Sequence, residues 1–121
     1  MMYSNKLPNE VSDWVTSIGR STPIQMARKY SRNSVLLATY ENLLIGRDNI
    51  QGYFESFLDK ENLKCQVINN VTQIGGSEQI ASGIYLFSFT ENGKKQVVEA
   101  RYSFVVKGGL VINHHSSETP E

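Results

Sequence analysis

The chain has 121 residues, a length that fits one domain able to bury its own core. Its 12 lysines and arginines balance 12 aspartates and glutamates, so it lacks the basic surface expected of a nucleic-acid or membrane-surface binder. The single cysteine, Cys65, excludes an internal disulfide and is expected to be a small buried or half-buried residue.

The first thirty residues predict two helices. The first begins near Pro8 and stops at Gly19. Its apolar residues recur at helical spacing and form one stripe: Val11, Trp14, Val15 and Ile18. The second begins with Thr22 as a cap, followed by proline at the first helical position and by Gln25 three residues after the cap, and it is expected to end at about Tyr30.

The next segment predicts an extended run and a third helix. Residues 34–39 are apolar and favour a strand, whereas residues 40–45 are ambiguous. Asp48 is the predicted cap of the third helix, with Gln51 three residues later. This helix also carries an apolar stripe: Ile50, Tyr53, Phe54, Phe57 and Leu58.

The second half of the chain has the two-residue period of β-strands. Four strands are expected, at residues 63–74, 80–90, 96–107 and 110–117. Tight turns separate them, including an Asn92–Gly93 hairpin turn, so neighbouring strands should be antiparallel. Helices followed by such a meander predict an α+β fold, one domain over residues 1–121 with residues 1–7 and 118–121 frayed. A curved sheet over helices has a mouth, where ligands commonly bind.

The third strand places a charged pair on one face. Glu99 and Arg101 share that face, and Val98, Ala100 and Tyr102 lie on the other. A covered arginine needs a partner or an anionic ligand. The simpler interpretation is that Glu99 and Arg101 form a partly exposed ion pair with each other or pair across strands, and anion binding by Arg101 is the alternative.

The last strand contains two adjacent histidines. His114 and His115 point to opposite faces, so they cannot both bind one metal, and no metal site is expected. At most one of them should face a pocket. His115 shares its face with Asn113 and Ser117.

Other chemical motifs are missing from the sequence. No glycine-rich phosphate loop and no nucleophile elbow is present, and no cofactor is expected. Trp14, Tyr53 and Tyr85 are more typical of a core than of a site. The N-terminus lacks the apolar run of a signal peptide and no stretch is long enough to span a membrane, so a cytoplasmic protein is expected.

Several segments together resemble a known family. Gly46 to Glu55, the Ala-Arg-Tyr-Ser-Phe run at 100–104 and the Asn-His-His-Ser-Ser run at 113–117 resemble the association (hub) domain of calcium/calmodulin-dependent protein kinase II and its free-standing bacterial relatives. The order of elements is similar to the nuclear transport factor 2-like (SnoaL-like) superfamily. The resemblance implies a cone of helices under a curved antiparallel sheet.

The resemblance also implies a site. Arg101 falls on an arginine and His115 on a histidine of the hub cavity, whereas Asn113 replaces a second histidine and Leu86 lies near a missing arginine. It implies homodimers, or a higher oligomer, paired through the sheet's outer face. The glycine-rich and catalytic loops of a kinase are absent, so no kinase activity is expected.

Three functions follow as hypotheses. The first is a dimerising module that binds a small anionic or polar ligand through Arg101 and His115, with Tyr53, Asn113 and Ser117 shaping the site. The second is a pocket enzyme of the ketosteroid isomerase, dehydratase or polyketide cyclase type that acts on a small carbonyl compound with His115 as general base. The third is a purely structural oligomerisation module.

Overall fold

The computed structural model describes residues 2–120. It contains three helices: α1 (Asn9–Ser17), α2 (Pro23–Ala27) and α3 (Arg47–Phe57). Within this range there are seven strands: β1 (Met2–Ser4), β2 (Tyr30–Leu37), β3 (Leu43–Ile45), β4 (Glu61–Gly75), β5 (Glu78–Glu91), β6 (Lys94–Lys107) and β7 (Leu110–Glu118). The α+β class and the order of helices and meander are as the sequence predicts.

The seven strands form one sheet in the order β1-β4-β5-β6-β7-β2-β3. The predicted meander is its centre, β4 to β7, with antiparallel neighbours. The extended run predicted at residues 34–39 overlaps β2, but the predicted four-stranded sheet is incomplete, because β2 joins it parallel to β7 and carries β3 beyond it. β1 pairs with the far end of β4. Met2–Ser4 and Glu118 therefore belong to paired strands, whereas fraying was expected there.

The helix ends differ in how well local sequence predicts them. Thr22 accepts a hydrogen bond from the Gln25 backbone, and the Gln25 side chain accepts one from the Thr22 backbone, which is the predicted capping box. α2 nevertheless ends at Ala27, because Tyr30 already pairs with Val111 in the sheet. α3 begins after Gly46, whose φ is 90°, and the predicted cap Asp48 lies inside its first turn.

The core lies between the helices and one face of the sheet, called here the inner face. Aromatic residues of β5 and β6 and the apolar stripes of α1 and α3 meet there. The fully buried large side chains include Tyr30, Tyr85, Phe54 and Phe104. The opposite, outer face is not covered by any element within residues 2–120, and this asymmetry separates the two candidate surfaces of the protein.

Candidate functional site

His114 lies in the core, where only 2% of its surface is exposed. Its Nδ1 atom is 2.8 Å from the Tyr30 hydroxyl and its Nε2 atom is 3.2 Å from the Tyr85 hydroxyl. Trp14 donates its indole N–H to the same Tyr30 oxygen at 3.0 Å. Phe104 stacks on the imidazole with ring centres 3.8 Å apart. The four polar side chains form one buried network, called here the His114 network.

The directions of these hydrogen bonds follow from the donors. Trp14 can only donate, so the Tyr30 oxygen accepts and its own O–H needs an acceptor. The nearest is Nδ1 of His114, since a buried hydroxyl proton without a partner is costly. The imidazole proton is then on Nε2 and is donated to the Tyr85 oxygen. The network therefore holds His114 in one tautomer.

The groups of this network are neutral near neutral pH. Burial lowers the pKa of His114 to about 3, with a smaller contribution from neighbouring His115. Burial raises the pKa of Tyr30 and of Tyr85 well above the ordinary tyrosine value. A base with so low a pKa is poorly matched to proton transfer near neutral pH, and the network is better suited to holding the core together.

The space beside the His114 network is very small. A cavity of about 10 Å³ remains between Tyr85, Ser116, Thr39 and Tyr53, and the hydroxyls of Thr39 and Ser116 are hydrogen-bonded across it. That is at the lower limit for a single water molecule. The interior of the cone is thus filled by its own aromatic side chains.

A larger depression, called here the mouth groove, lies between α3 and the segment that joins β2 to β3. Its volume is about 490 Å³. It is lined by Tyr40, Glu41, Leu44, Asn49, Gly52, Tyr53, Ser56, Phe57 and Lys60. Tyr53 stacks on Phe57 with ring centres 5.4 Å apart, and burial raises the pKa of the Tyr53 hydroxyl. The Lys60 ammonium lies 4.4 Å from the Phe89 ring centre.

The five residues that the sequence singles out are divided between two surfaces. Tyr53 lies in the mouth groove. Arg101, Asn113 and His115 are exposed, and Ser117 half-buried, on the outer face. β6 and β7 bring these four together, because Arg101 pairs with Ser117, and His115 and Asn113 are next along β7.

His115 was expected to face the inside of the cone, and the structure reverses this orientation. The predicted split between the two histidines is confirmed, but His114 is the inner one. His114 faces inward because β7 has a bulge at Ile112. Val106 pairs with Val111 and Val105 pairs with Asn113, so Ile112 is an extra residue between the two pairs. One extra residue exchanges the faces of all residues that follow it. The hypothesis of His115 as the general base of an interior pocket gains no support from this position.

The sequence did not predict the His114 network. Trp14 and Tyr85 were expected in the core and are buried there, but Tyr30 was expected at a helix end. The partners of His114 are 29 and 84 residues away in sequence, so no local spacing connects them. His114 pairs with Phe104, an inner residue of β6, but this pairing could be predicted only if the bulge in β7 had been known.

Cys65 does not have the properties of a reactive cysteine. Cys65 is half-buried, and burial raises the pKa of its thiol to about 12, so the thiolate nucleophile is scarce near neutral pH. Within residues 2–120 no group of three or more histidine, cysteine, aspartate or glutamate side chains is arranged to hold a metal. Across the same range, none of the helices has the length and apolar content needed to cross a lipid bilayer.

Comparison with solved structures defines the class of the fold. A nuclear transport factor 2-like protein from Salmonella enterica superposes with a TM-score of 0.76 at 14% identity over 93% of this chain and 87% of that one. A ketosteroid isomerase-like protein from Erwinia carotovora gives 0.75 at 11% identity, covering 93% and 92% of the chains. These likenesses define a nuclear transport factor 2-like cone.

The family is narrower than the fold. Residues 6–120 match the calcium/calmodulin dependent protein kinase II association domain, and the chain belongs to that family. A Xanthomonas campestris protein assigned to the same association domain is 34% identical, with a TM-score of 0.84, and the match covers 100% of this chain and 99% of that one. No curated protein matches significantly.

Proposed function

We propose that this protein is a self-association domain that forms homodimers through the outer face of its sheet. The observation that carries the proposal is the number of apolar side chains exposed there. The exposed fraction is 52% for Val71, 55% for Val97, 41% for Leu37, 56% for Leu43 and 61% for Ile45. A contiguous apolar patch on a folded protein is typical of an interaction site.

The register of the sheet supports a continuous patch. Ile80 of β5 pairs with Val105 of β6, Val105 with Asn113 of β7, and Asn113 with Val35 of β2. Val35 in turn pairs with Ile45 of the edge strand β3. These five paired residues form one row across five strands of the outer face, and Asn113 is the single polar residue among them. Membership of an association-domain family supports the same role.

Sedimentation of the wild type and two lysine variants tests the proposal. The wild type is expected to sediment as a dimer at micromolar concentration. Val71→Lys adds a charge to the outer face and should weaken the dimer. Ile24→Lys changes a similarly exposed apolar residue, 48% exposed on α2, and should leave it unchanged. A wild type that is monomeric at 100 µM and above would overturn the proposal.

The mouth groove supports a second role, the binding of a small planar anion. Its volume lies within the roughly 300–1,000 Å³ typical of small-molecule sites. The stacked pair Tyr53 and Phe57 offers an aromatic wall, and Lys60 offers a cation at the rim. An aromatic carboxylate combines the ring and the charge that these residues would recognise.

A ligand screen separates this site from the one expected at Arg101 and His115. Benzoate and short aliphatic carboxylates would be tested by thermal shift on the wild type, on Tyr53→Ala, on the milder Lys60→Gln, and on Arg101→Ala with His115→Ala. A groove ligand loses its shift with Tyr53→Ala and Lys60→Gln and keeps it in the double variant. The reverse pattern supports the Arg101 and His115 site, which would lie on the outer face.

A further inference from the structure

Two opposite charges, Glu99 and Arg101, lie in the middle of the outer face. Neither Glu99 nor Arg101 forms an ion pair with any residue of the described range 2–120, although an intrachain pair was the simpler expectation. The two residues follow each other on β6 with only Ala100 between them, so their Cα atoms are about 7 Å apart. The outer face thus carries its own positive and its own negative group side by side.

The residues paired directly with Glu99 and Arg101 on the neighbouring strands are uncharged. Arg101 lies between Ile84 of β5 and Ser117 of β7. Glu99 lies opposite Leu86 of β5, and its carbonyl accepts a hydrogen bond from the backbone of Thr119. Both charged side chains are exposed in the single chain, where water solvates them. If this face is covered, each must find a counter-charge, because burying an unpaired ion is very costly.

We infer that Glu99 and Arg101 fix the register of the dimer by pairing reciprocally with the same residues of a second copy. This inference rests on the self-association proposed above. Two identical sheets that stack face to face are related by a two-fold axis lying in the plane between them. When that axis runs across the strands at Ala100, the two β6 strands are antiparallel, and Glu99 lies opposite the partner's Arg101.

The alternative symmetric arrangement is electrostatically unfavourable. An axis parallel to β6 would bring Glu99 against the partner's Glu99 and Arg101 against the partner's Arg101. Like charges that face each other across an interface strongly disfavour the complex. The balanced net charge of the chain adds no general repulsion between copies. The pair therefore favours the arrangement with antiparallel β6 strands over the one with parallel β6 strands.

Complementary charge reversals test this register. Glu99→Arg leaves two positive charges on each face, and Arg101→Glu leaves two negative charges. Each variant alone should dimerise at least about 100-fold more weakly than the wild type. An equimolar mixture should regain wild-type affinity, since every positive group then faces a negative one. Native mass spectrometry would identify the restored species as the mixed dimer. Because this mixture recovers in either arrangement, a chain that carries both Glu99→Arg and Arg101→Glu decides the register: it should dimerise with itself but not with the wild type, and a mixed dimer with the wild type would overturn the register.

The controls separate the register from general charge effects and from loss of folding. Glu55→Arg on α3 and Arg28→Glu just after α2 make the same charge changes at exposed positions and should stay dimeric. Circular dichroism checks that every variant is folded. Single reversals that dimerise like the wild type, or a mixture that fails to recover, overturn the register while leaving a dimeric wild type in place. A monomeric wild type overturns the self-association proposal and this inference together.

Discussion

His114 is a histidine held uncharged inside an aromatic core. Its two ring nitrogens contact Tyr30 and Tyr85, and Trp14 completes the network. Each polar atom has a partner, so removing one member would leave another buried and unsatisfied. The folded protein requires His114 to be neutral, so the free energy of unfolding depends on pH.

The first prediction concerns that dependence. The pKa of His114 falls from 6.5 to about 3 on folding, so above pH 6.5 the imidazole is neutral in both states and its burial carries no protonation cost. As pH falls from 6.5 toward 3, the unfolded chain binds a proton that the folded chain does not. Stability should then decrease by roughly 1 kcal/mol for each pH unit from this group alone. Urea unfolding of the wild type from pH 7.5 to 4 measures the loss.

Two variants isolate the contribution of His114 from that of the carboxylates. His114→Gln should be less stable at neutral pH but should lose less stability in acid than the wild type. His115→Gln changes the exposed neighbour and should retain the acid loss that His114 causes. An equally steep acid loss in His114→Gln and in the wild type would contradict the assignment.

At the scale of elements, a close approach between backbones fixes the end of α1 against the sheet. Gly19 ends α1 with a φ of 83°, and a Cβ atom there would lie 1.9 Å from the carbonyl oxygen of Leu63 on β4. Only glycine allows the chain to turn and to approach the strand at this point. The contact anchors the end of α1 against the first strand of the meander.

The second prediction follows from this contact. Gly19→Ala combines an unfavourable φ with a clash against backbone, so it should lower the free energy of unfolding by about 2 kcal/mol or more. Gly52→Ala is the matched control, because it lies within α3 and nothing approaches its position within 4 Å. That change should raise the free energy of unfolding by up to about 1 kcal/mol. Equilibrium denaturation compares the two, and a neutral Gly19→Ala would refute the role of the contact.

At the scale of the whole molecule, the sheet has two different faces. The inner face is filled by the helices and leaves little room inside, whereas the outer face exposes apolar residues such as Val71 and Leu37. Self-association would cover that exposed area. Folding and assembly should then be linked by mass action.

The third prediction uses this linkage. The Tm of the wild type should rise when the protein concentration is raised from about 1 to 100 µM, because a dimer is stabilised by higher concentration. Val71→Lys should reduce the dependence on concentration, and Ile24→Lys should preserve it. Differential scanning calorimetry at several concentrations makes the comparison. A Tm that is independent of concentration in the wild type would count against a dimer linked to folding.

The sequence predicted the elements that depend on neighbours along the chain. The capping box at Thr22, the helical stripes and the hairpin turns were readable because capping, amphipathic spacing and turn chemistry act over a few residues. It also predicted that His114 and His115 point to opposite faces, since alternation is a property of any strand. The family predicted from the resemblance to the association domain is confirmed by the match over residues 6–120.

Which face each histidine occupies was decided by tertiary structure alone. The bulge at Ile112 reverses the alternation of β7, and it is a property of the pairing between β6 and β7. The parallel pairing of β2 with β7 and the joining of Trp14, Tyr30 and Tyr85 at His114 also depend on contacts between distant residues. Local sequence determines where the chain turns and alternates; the register between strands determines which side chains face the core and which face outward.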